Sequence, residues 1–347
     1  VQDTVSNITS IDGLTTSEVS MAAATVTVTD AASFANATAI NGFTTGKVTL
    51  NSVEDTYSNI QSIKSIPDAQ VDMGAAAIKV SDNVTKTEVD DLRTDTTGNI
   101  TLTSLTEDKG DLATINGFAD VILSTANITV TDNVDKSEAD TIDAYSNTSG
   151  TVTLTSITDT VANVTAVENN ANISLATSSI TVTDAVSKAQ ADTLNGFTNA
   201  KVTLNSVEDN YANIQLIKAI DTAAVDMDAA DIKVTDDVNK TKVDDLRTDT
   251  TGDITLTSVT EDKTDLATLN GFTDVILSTA NITVSDDVSK GEADTINAYN
   301  NVSGTVTLTS ITDNFTNVVA AQATAGIAMT AATIETDNTE AVTKANV

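Results

Sequence analysis

Four acidic doublets are the residues in this 347-residue chain whose type and spacing could do chemistry. Asp90-Asp91 and Asp244-Asp245 stand 154 residues apart, and Asp236-Asp237 and Asp286-Asp287 each follow a strand-like run directly. Hard cations take several oxygen ligands from carboxylates and turn carbonyls. Calcium, Ca2+, is therefore the candidate ligand of these eight residues, and no other cofactor is implied. The glycine-rich nonapeptide of calcium-binding β-rolls is absent, as is an EF-hand loop, and 14 glycines leave no room for such a loop at every repeat. Helix capping by strand-end Asp and diffuse screening by counterions explain the same residues without a built site.

Catalysis has little to work with. His, Cys and Trp are absent, which removes the usual general base, the thiol nucleophile and most metal clusters. Asp140 and Asp143 would share a helix face, but a pair copied along an array reads as a solvated surface. No glycine-rich phosphate loop occurs. The expectation is that this is not an enzyme.

The elements that carry the acidic residues are repeats. KVTLNSVED occurs at 47–55 and again at 201–209, and DDLRTDTTG, VILSTANITV and SGTVTLTSITD recur at the same 154-residue offset. A Val/Ile-x-Leu/Met triplet starts at Val19, Val48, Val71, Ile100, Val121, Val152, Ile173, Val202, Val225, Ile254, Val275, Val306 and Ile327. Spacings alternate between 29–31 and 21–23 residues, so long and short rungs interleave in about 13 rungs. This predicts a β-solenoid or α/β solenoid, of either hand, with stacked parallel strands and short helices on one side. The blocks are 1–18, a partial rung; 19–172 and 173–326, two repeat blocks; and 327–347, the start of a further repeat.

In the long rung, runs such as ITVTD alternate apolar and polar, the period of a half-buried strand. Three or four residues separate it from the preceding triplet and read as a corner between two faces of one coil. Helix starts follow. Thr85-x-x-Glu88, Asp135-x-x-Glu138, Ser187-x-x-Gln190 and Ser289-x-x-Glu292 match or approach the capping box, so Thr85, Asp135, Ser187 and Ser289 are N-caps. Val84 with Val89 and Val134 with Ala139 fit the accompanying staple. Asn-Gly at 41–42 and 195–196 supplies a helix stop. In the short rung, Asp55, Asp159, Asp209 and Asp313 end the strand and are read as N-caps of a second helix. Asn59, Asn163, Asn213 and Asn317 follow four residues later, either in local turn bonds or as a stacked amide ladder.

Charge narrows the partners. Lys and Arg sum to 17 against 50 acidic residues, a formal charge of −33, which repels nucleic acid and anionic membranes. No apolar run is long enough to insert in a bilayer, and no basic-then-apolar leader opens the chain. Disorder is the rival for so acidic a chain, but 40% hydrophobic residues in regular positions argue for a folded array. Thr-x-Thr pairs such as Thr27/Thr29 suggest an ice-binding face, yet Lys79, Lys233, Asn51 and Asn205 interrupt it, and β-propensity explains Thr better. Twelve Asn-x-Ser/Thr sequons, among them Asn83, Asn127, Asn163 and Asn281, make glycans candidate modifications. The opening run VQDTVSNITSI matches 53–63 and the closing run AVTKANV resembles 185–191. Neither is a polar cap, so the chain is expected to belong to a longer array or to be capped by neighbouring copies.

The rungs VTLTSITDTVANVTAV (152–167) and ITVTDAVSKAQADTL (180–194) resemble the Thr-, Asp- and Ala-rich repeats of very large bacterial surface proteins. These include surface-layer proteins and repeat adhesins of marine bacteria and cyanobacteria. The resemblance covers essentially the whole chain and rests on repeat style. It implies an extracellular location at the cell surface and a structural role, and it carries over no catalytic residue. The expected function is a segment of a surface layer, sheath or filament that acts by self-association. A calcium-loaded adhesin stalk or binding module is the alternative.

Overall fold

The computed structural model describes residues 1–14, 19–145, 149–299 and 303–337. The chain is an α/β solenoid of about thirteen rungs, with parallel strands stacked in order and helices of eight to ten residues along one side. It forms two compact units, Val1–Thr158 with Asn163–Ser178, and Asp159–Ala162 with Ser179–Val347.

In the first unit, the long-rung strand Ala77–Val84 lies beside the short-rung strand Ile100–Glu107. Ile78 is level with Ile100 and Val80 with Leu102, and all four are buried. Lys79 and Ser81, which flank Val80 in the long strand, are exposed, as period-2 alternation requires. The alternation then breaks. The next buried residue is Val84, four positions on in the long strand, but Leu105, three positions on in the short one. A bulge between Val80 and Asn83 absorbs the extra residue and keeps Val84 level with Leu105. Strands Val26–Ala32 and Asn127–Val134 bulge at the same place.

The register then steps sideways. Ile100 is level with Val121 of the two-residue strand Val121–Ile122, whereas Leu105 is level with Ile128 of the next long strand. That strand therefore starts about half a strand further along, and the two-residue piece pairs with the half left behind. This replaces the corner that the sequence reading places between them. Both segments hydrogen-bond to one neighbour, so residues 123–126 are a jog within a single sheet. Ala126 N–H closes a turn on the Leu123 carbonyl at 3.0 Å, and both side chains are buried. The staggered neighbour gives ladder partners to both segments.

The second unit repeats the arrangement. Ile232 is level with Ile254, Val259 with Ile282, and bulges follow Val182, Val234 and Val284. The core residues expected from repetition, Val48 and Leu50 in the first unit and Val202 and Leu204 in the second, are buried.

Two local readings are displaced. Val19 is exposed and outside any strand, although Met21 just beyond it is buried. Asn41-Gly42 and Asn195-Gly196 lie inside the last turn of helices Phe34–Phe43 and Lys188–Phe197, which end at Thr44 and Thr198. Thr44 is buried, donates its hydroxyl to the Ala24 carbonyl at 2.6 Å and accepts from the Gly46 N–H at 2.9 Å. Thr96 and Thr250 repeat this lock, so these helices leave in extended backbone and need no left-handed glycine. The closing AVTKANV run lies outside the described residues.

Candidate functional site

The Asp residues that end the short strands prove not to be the N-caps. Thr56, Asn210 and Asn314 hold that position and accept the N–H three residues on. Asp55, Asp209 and Asp313 stand one residue earlier, because Asp-Thr and Asp-Asn put two good cap formers side by side. Each has a different task. Asp55 Oδ1 accepts from Thr56 N–H and Asn59 Nδ2, both at 2.8 Å, while Oδ2 accepts the N–H of Phe34 at 2.9 Å. Phe34 opens the helix of the preceding rung. Asp209 reaches back to Lys188 and Asp313 to Lys290 in the same way. Asp159 ends its strand and accepts the Thr160 N–H at 2.8 Å. The Asn side chains thus make local turn bonds to the Asp, at 2.8 Å for Asn213 and 2.9 Å for Asn317, and not a stacked ladder.

The long strands do likewise. Asp30 accepts from Val5, Asp82 from Tyr57, Asp132 from Lys109, Asp184 from Val161, Asp236 from Tyr211 and Asp286 from Lys263, at 2.7–3.0 Å. Glu107 and Glu261, at the ends of two further short strands, accept from Lys86 and Lys240. In every case the donor is the first residue of the helix one rung earlier, 21–25 residues back. A helix N-terminus carries unsatisfied N–H groups and partial positive charge, so a carboxylate there is favoured. Within each unit the result is a recurring charge-assisted bond from one rung to its predecessor.

These bonds move pKa values. Burial pushes Asp55 up, but the bonds from Asn59, Phe34 and Thr56 outweigh it and hold the carboxyl below its usual value. Burial also raises Asp209, and the bonds from Lys188, Asn213 and Asn210 reverse it. Asn317, then the Lys290 N–H, depress Asp313.

The capping boxes are where the sequence places them. Thr85 with Glu88, Asp135 with Glu138 and Ser289 with Glu292 exchange reciprocal bonds, and Ser187 donates its N–H to Gln190 at 2.9 Å.

The calcium candidates are dispersed among internal partners. Asp90 and Asp244 pair with Lys86 and Lys240 one turn back. Asp91 accepts the Tyr57 hydroxyl at 2.9 Å and Asp245 that of Tyr211 at 2.7 Å. Asp236 and Asp286 hold helix N–H groups, and Asp237 and Asp287 accept the Ser258 and Ser310 hydroxyls at 2.7 Å. Among the described residues, no three acidic groups gather around one point.

Contacts between successive helices escape the sequence reading. Gln61 donates to Asp95 at 2.7 Å and Gln215 to Asp249 at 2.6 Å, alongside the Tyr–Asp pairs. Burial, then the bond to Asp91, pushes Tyr57 up to about 12; the bond to Asp245, then burial, does the same for Tyr211. Arg93 stacks over Phe118 and binds Asp120, and Arg247 repeats this on Phe272 and Asp274. The shared 34-residue offset, duplicated 154 residues on, is the signal that could have found the first set.

Two open grooves lie beside Tyr145 and Tyr299, each holding a Lys–Glu ion pair, Lys109–Glu138 or Lys263–Glu292. The sequon residues Asn127 and Asn281 turn Oδ1 to the N–H of Thr151 and Thr305, and Asn83 Oδ1 accepts from Ser104 and Thr106. Among the described residues, no helix is long and apolar enough to cross a membrane. No protein-family model, curated protein or solved structure matches the chain.

Proposed function

We propose that the chain is an extracellular structural repeat protein, a segment of a surface layer, sheath or filament, acting by assembly and not by catalysis. One observation carries the reading. Eleven carboxylates at or near strand ends are spent on the rung before them, and this bond recurs in both units, with no rung set apart for a ligand among the described residues. A binding module would be expected to interrupt the repetition where its ligand sits. The alternative, a calcium-loaded stalk, is favoured by no particular contact, since all eight acidic candidates hold protein donors.

The test is electron microscopy of the purified chain at rising concentration, with calcium, with chelator and with matched sodium chloride. Continuous polymers under ionic screening support assembly. Dispersed single chains under every condition overturn it, and polymers only with calcium move the reading to the alternative.

A further inference from the structure

Two seams between successive helices differ at matching positions. Between the helices Tyr57–Lys64 and Lys86–Asp95, Tyr57 crosses to Asp91 at 2.9 Å and Gln61 to Asp95 at 2.7 Å. At the next such seam, between Lys109–Asn116 and Lys136–Asp143, the same four positions read Lys109, Ala113, Thr141 and Tyr145. Ala113 has no polar group to offer, and Thr141 turns its hydroxyl to the Ser137 carbonyl at 2.8 Å. One ion pair, Lys109 to Glu138 at 2.7 Å, spans the seam and leaves a groove beside Tyr145. The second unit repeats both seams. Tyr211, Gln215, Asp245 and Asp249 bridge one, and Lys263, Ala267, Thr295 and Tyr299 leave the other open. The two grooves measure about 220 and 380 Å³.

Their chemistry is the same. A half-buried tyrosine lines each, with an apolar ring and a polar hydroxyl. An ammonium has three donors. Lys109 spends two, on Glu138 and on the Asn133 carbonyl at 3.2 Å, and Lys263 two, on Glu292 and on the Asp287 carbonyl at 3.1 Å. One N–H of each lysine is left over among the described residues. Glu138 and Glu292 give one oxygen to the lysine and the other to their helix cap, and a carboxylate still has lone pairs to share. The pair carries no net charge, so a charged ligand of either sign would meet a like charge at once. What fits is neutral, donates and accepts through several hydroxyls, and has an apolar face to lay on the ring.

We propose that each groove binds a neutral sugar ring, its C–H face against the tyrosine and its hydroxyls shared between the lysine and the glutamate. Small-molecule sites run to about 300–1,000 Å³, so grooves of this size suit one or two rings. Both 154-residue copies carry the groove, so it belongs to the repeat and sets no single rung apart. The inference goes beyond the assembly reading and does not depend on it.

The experiment is saturation-transfer NMR of the full chain with the methyl glycosides of glucose, galactose and mannose, and with dextran. Transfer to at least one probe is expected, with a Kd of roughly 1 mM, the scale of a few polar contacts and one stacked ring. A response to a methyl glycoside assigns the groove to a lone ring, and a response to dextran alone assigns it to a chain of rings. Tyr145→Asp with Tyr299→Asp should weaken binding roughly tenfold or more. The fold accepts that change, because Asp95 and Asp249 hold the same position in other rungs. Glu138→Gln with Glu292→Gln should also weaken binding while keeping the cap, as Gln190 keeps it beside Ser187. Tyr57→Phe with Tyr211→Phe, outside the grooves, should leave binding unaltered. No transfer to any of the four probes overturns the proposal, as does binding that survives the Tyr145 and Tyr299 changes. Tighter binding of glucuronate or glucosamine than of the neutral glycosides overturns the ligand class. None of these results bears on polymer formation, which microscopy reads separately.

Discussion

Asp82 accepts the backbone N–H of Tyr57 at 2.9 Å, and Tyr57 is the first residue of the helix one rung earlier. The same Tyr57 sends its hydroxyl forward to Asp91, on the helix that follows Asp82. One residue is thus held at both ends by the rung after it. Asp236, Tyr211 and Asp245 repeat the arrangement in the second unit.

Asp82→Ala should therefore cost about 1–2 kcal/mol, the scale of a charge-assisted bond to a helix N-terminus. Hydrogen exchange should speed up at Tyr57 and in its helix Tyr57–Lys64 and leave distant rungs protected, since repeat stability sums over neighbours. Faster exchange throughout the chain would contradict this.

Ser289→Ala removes a cap that accepts the Glu292 N–H at 3.3 Å and should cost about 1 kcal/mol. Chemical denaturation measures the loss, and exchange should place it in the helix Lys290–Asn297. A global collapse from this one change would show that the array is not a sum of neighbour terms.

Gly98→Ala is expected to be worse than its size suggests. A Cβ there would sit 2.3 Å from the Ala76 carbonyl oxygen, which also accepts the Thr96 hydroxyl at 2.6 Å. Backbone has to move, at a cost of about 1–3 kcal/mol. Gly252→Ala meets Ala230 at 2.4 Å and should behave alike. A melting temperature equal to that of the parent chain would count against both.

Acid and alkali should act on different bonds. Asp55, Asp209 and Asp313 have folded pKa values below their unfolded ones, so their contribution is present above the unfolded value and is lost as pH falls through the folded one. Tyr57 and Tyr211, raised to about 12, contribute fully below the ordinary tyrosine value near 10 and lose that contribution as pH rises through about 12. Melting temperature against pH should fall at both extremes. The double variant Tyr57→Phe, Tyr211→Phe should flatten the alkaline fall and leave the acid one. An unchanged alkaline limb would break the assignment.

At a formal charge of −33 the chain repels itself, and salt at 0.1 M screens over about 10 Å. Melting temperature should rise with sodium chloride. Equal curves with calcium at matched ionic strength would leave screening as the whole effect; a calcium excess would require ligands that the eight Asp positions do not assemble.

What was legible in the sequence is what a single rung decides for itself. Thr85 and Glu88 lie three residues apart, so their reciprocal capping is written locally, and the period-2 run Ile128, Val130 needs no neighbour to be read. The bulge is also written there: buried positions run Ile78, Val80, Val84 in a long strand and Ile100, Leu102, Leu105 in a short one. What escaped depends on register between rungs. Asp55 looks like a cap because it precedes a helix, and only the stacking of Val53 beside Ala32 shows that it faces Phe34. Asp91 reads as half of a cation-binding doublet until the helix before it brings Tyr57 within reach.

Each of these bonds also has a direction in time. The acceptor always lies later in the chain than the helix it closes, by 21–25 residues. During synthesis, the first N–H of a newly emerged helix therefore stays without this partner until the following strand arrives to supply it. Folding that proceeds from the first residue onward runs one rung behind the emerging chain, with a single unfinished rung at the growing end.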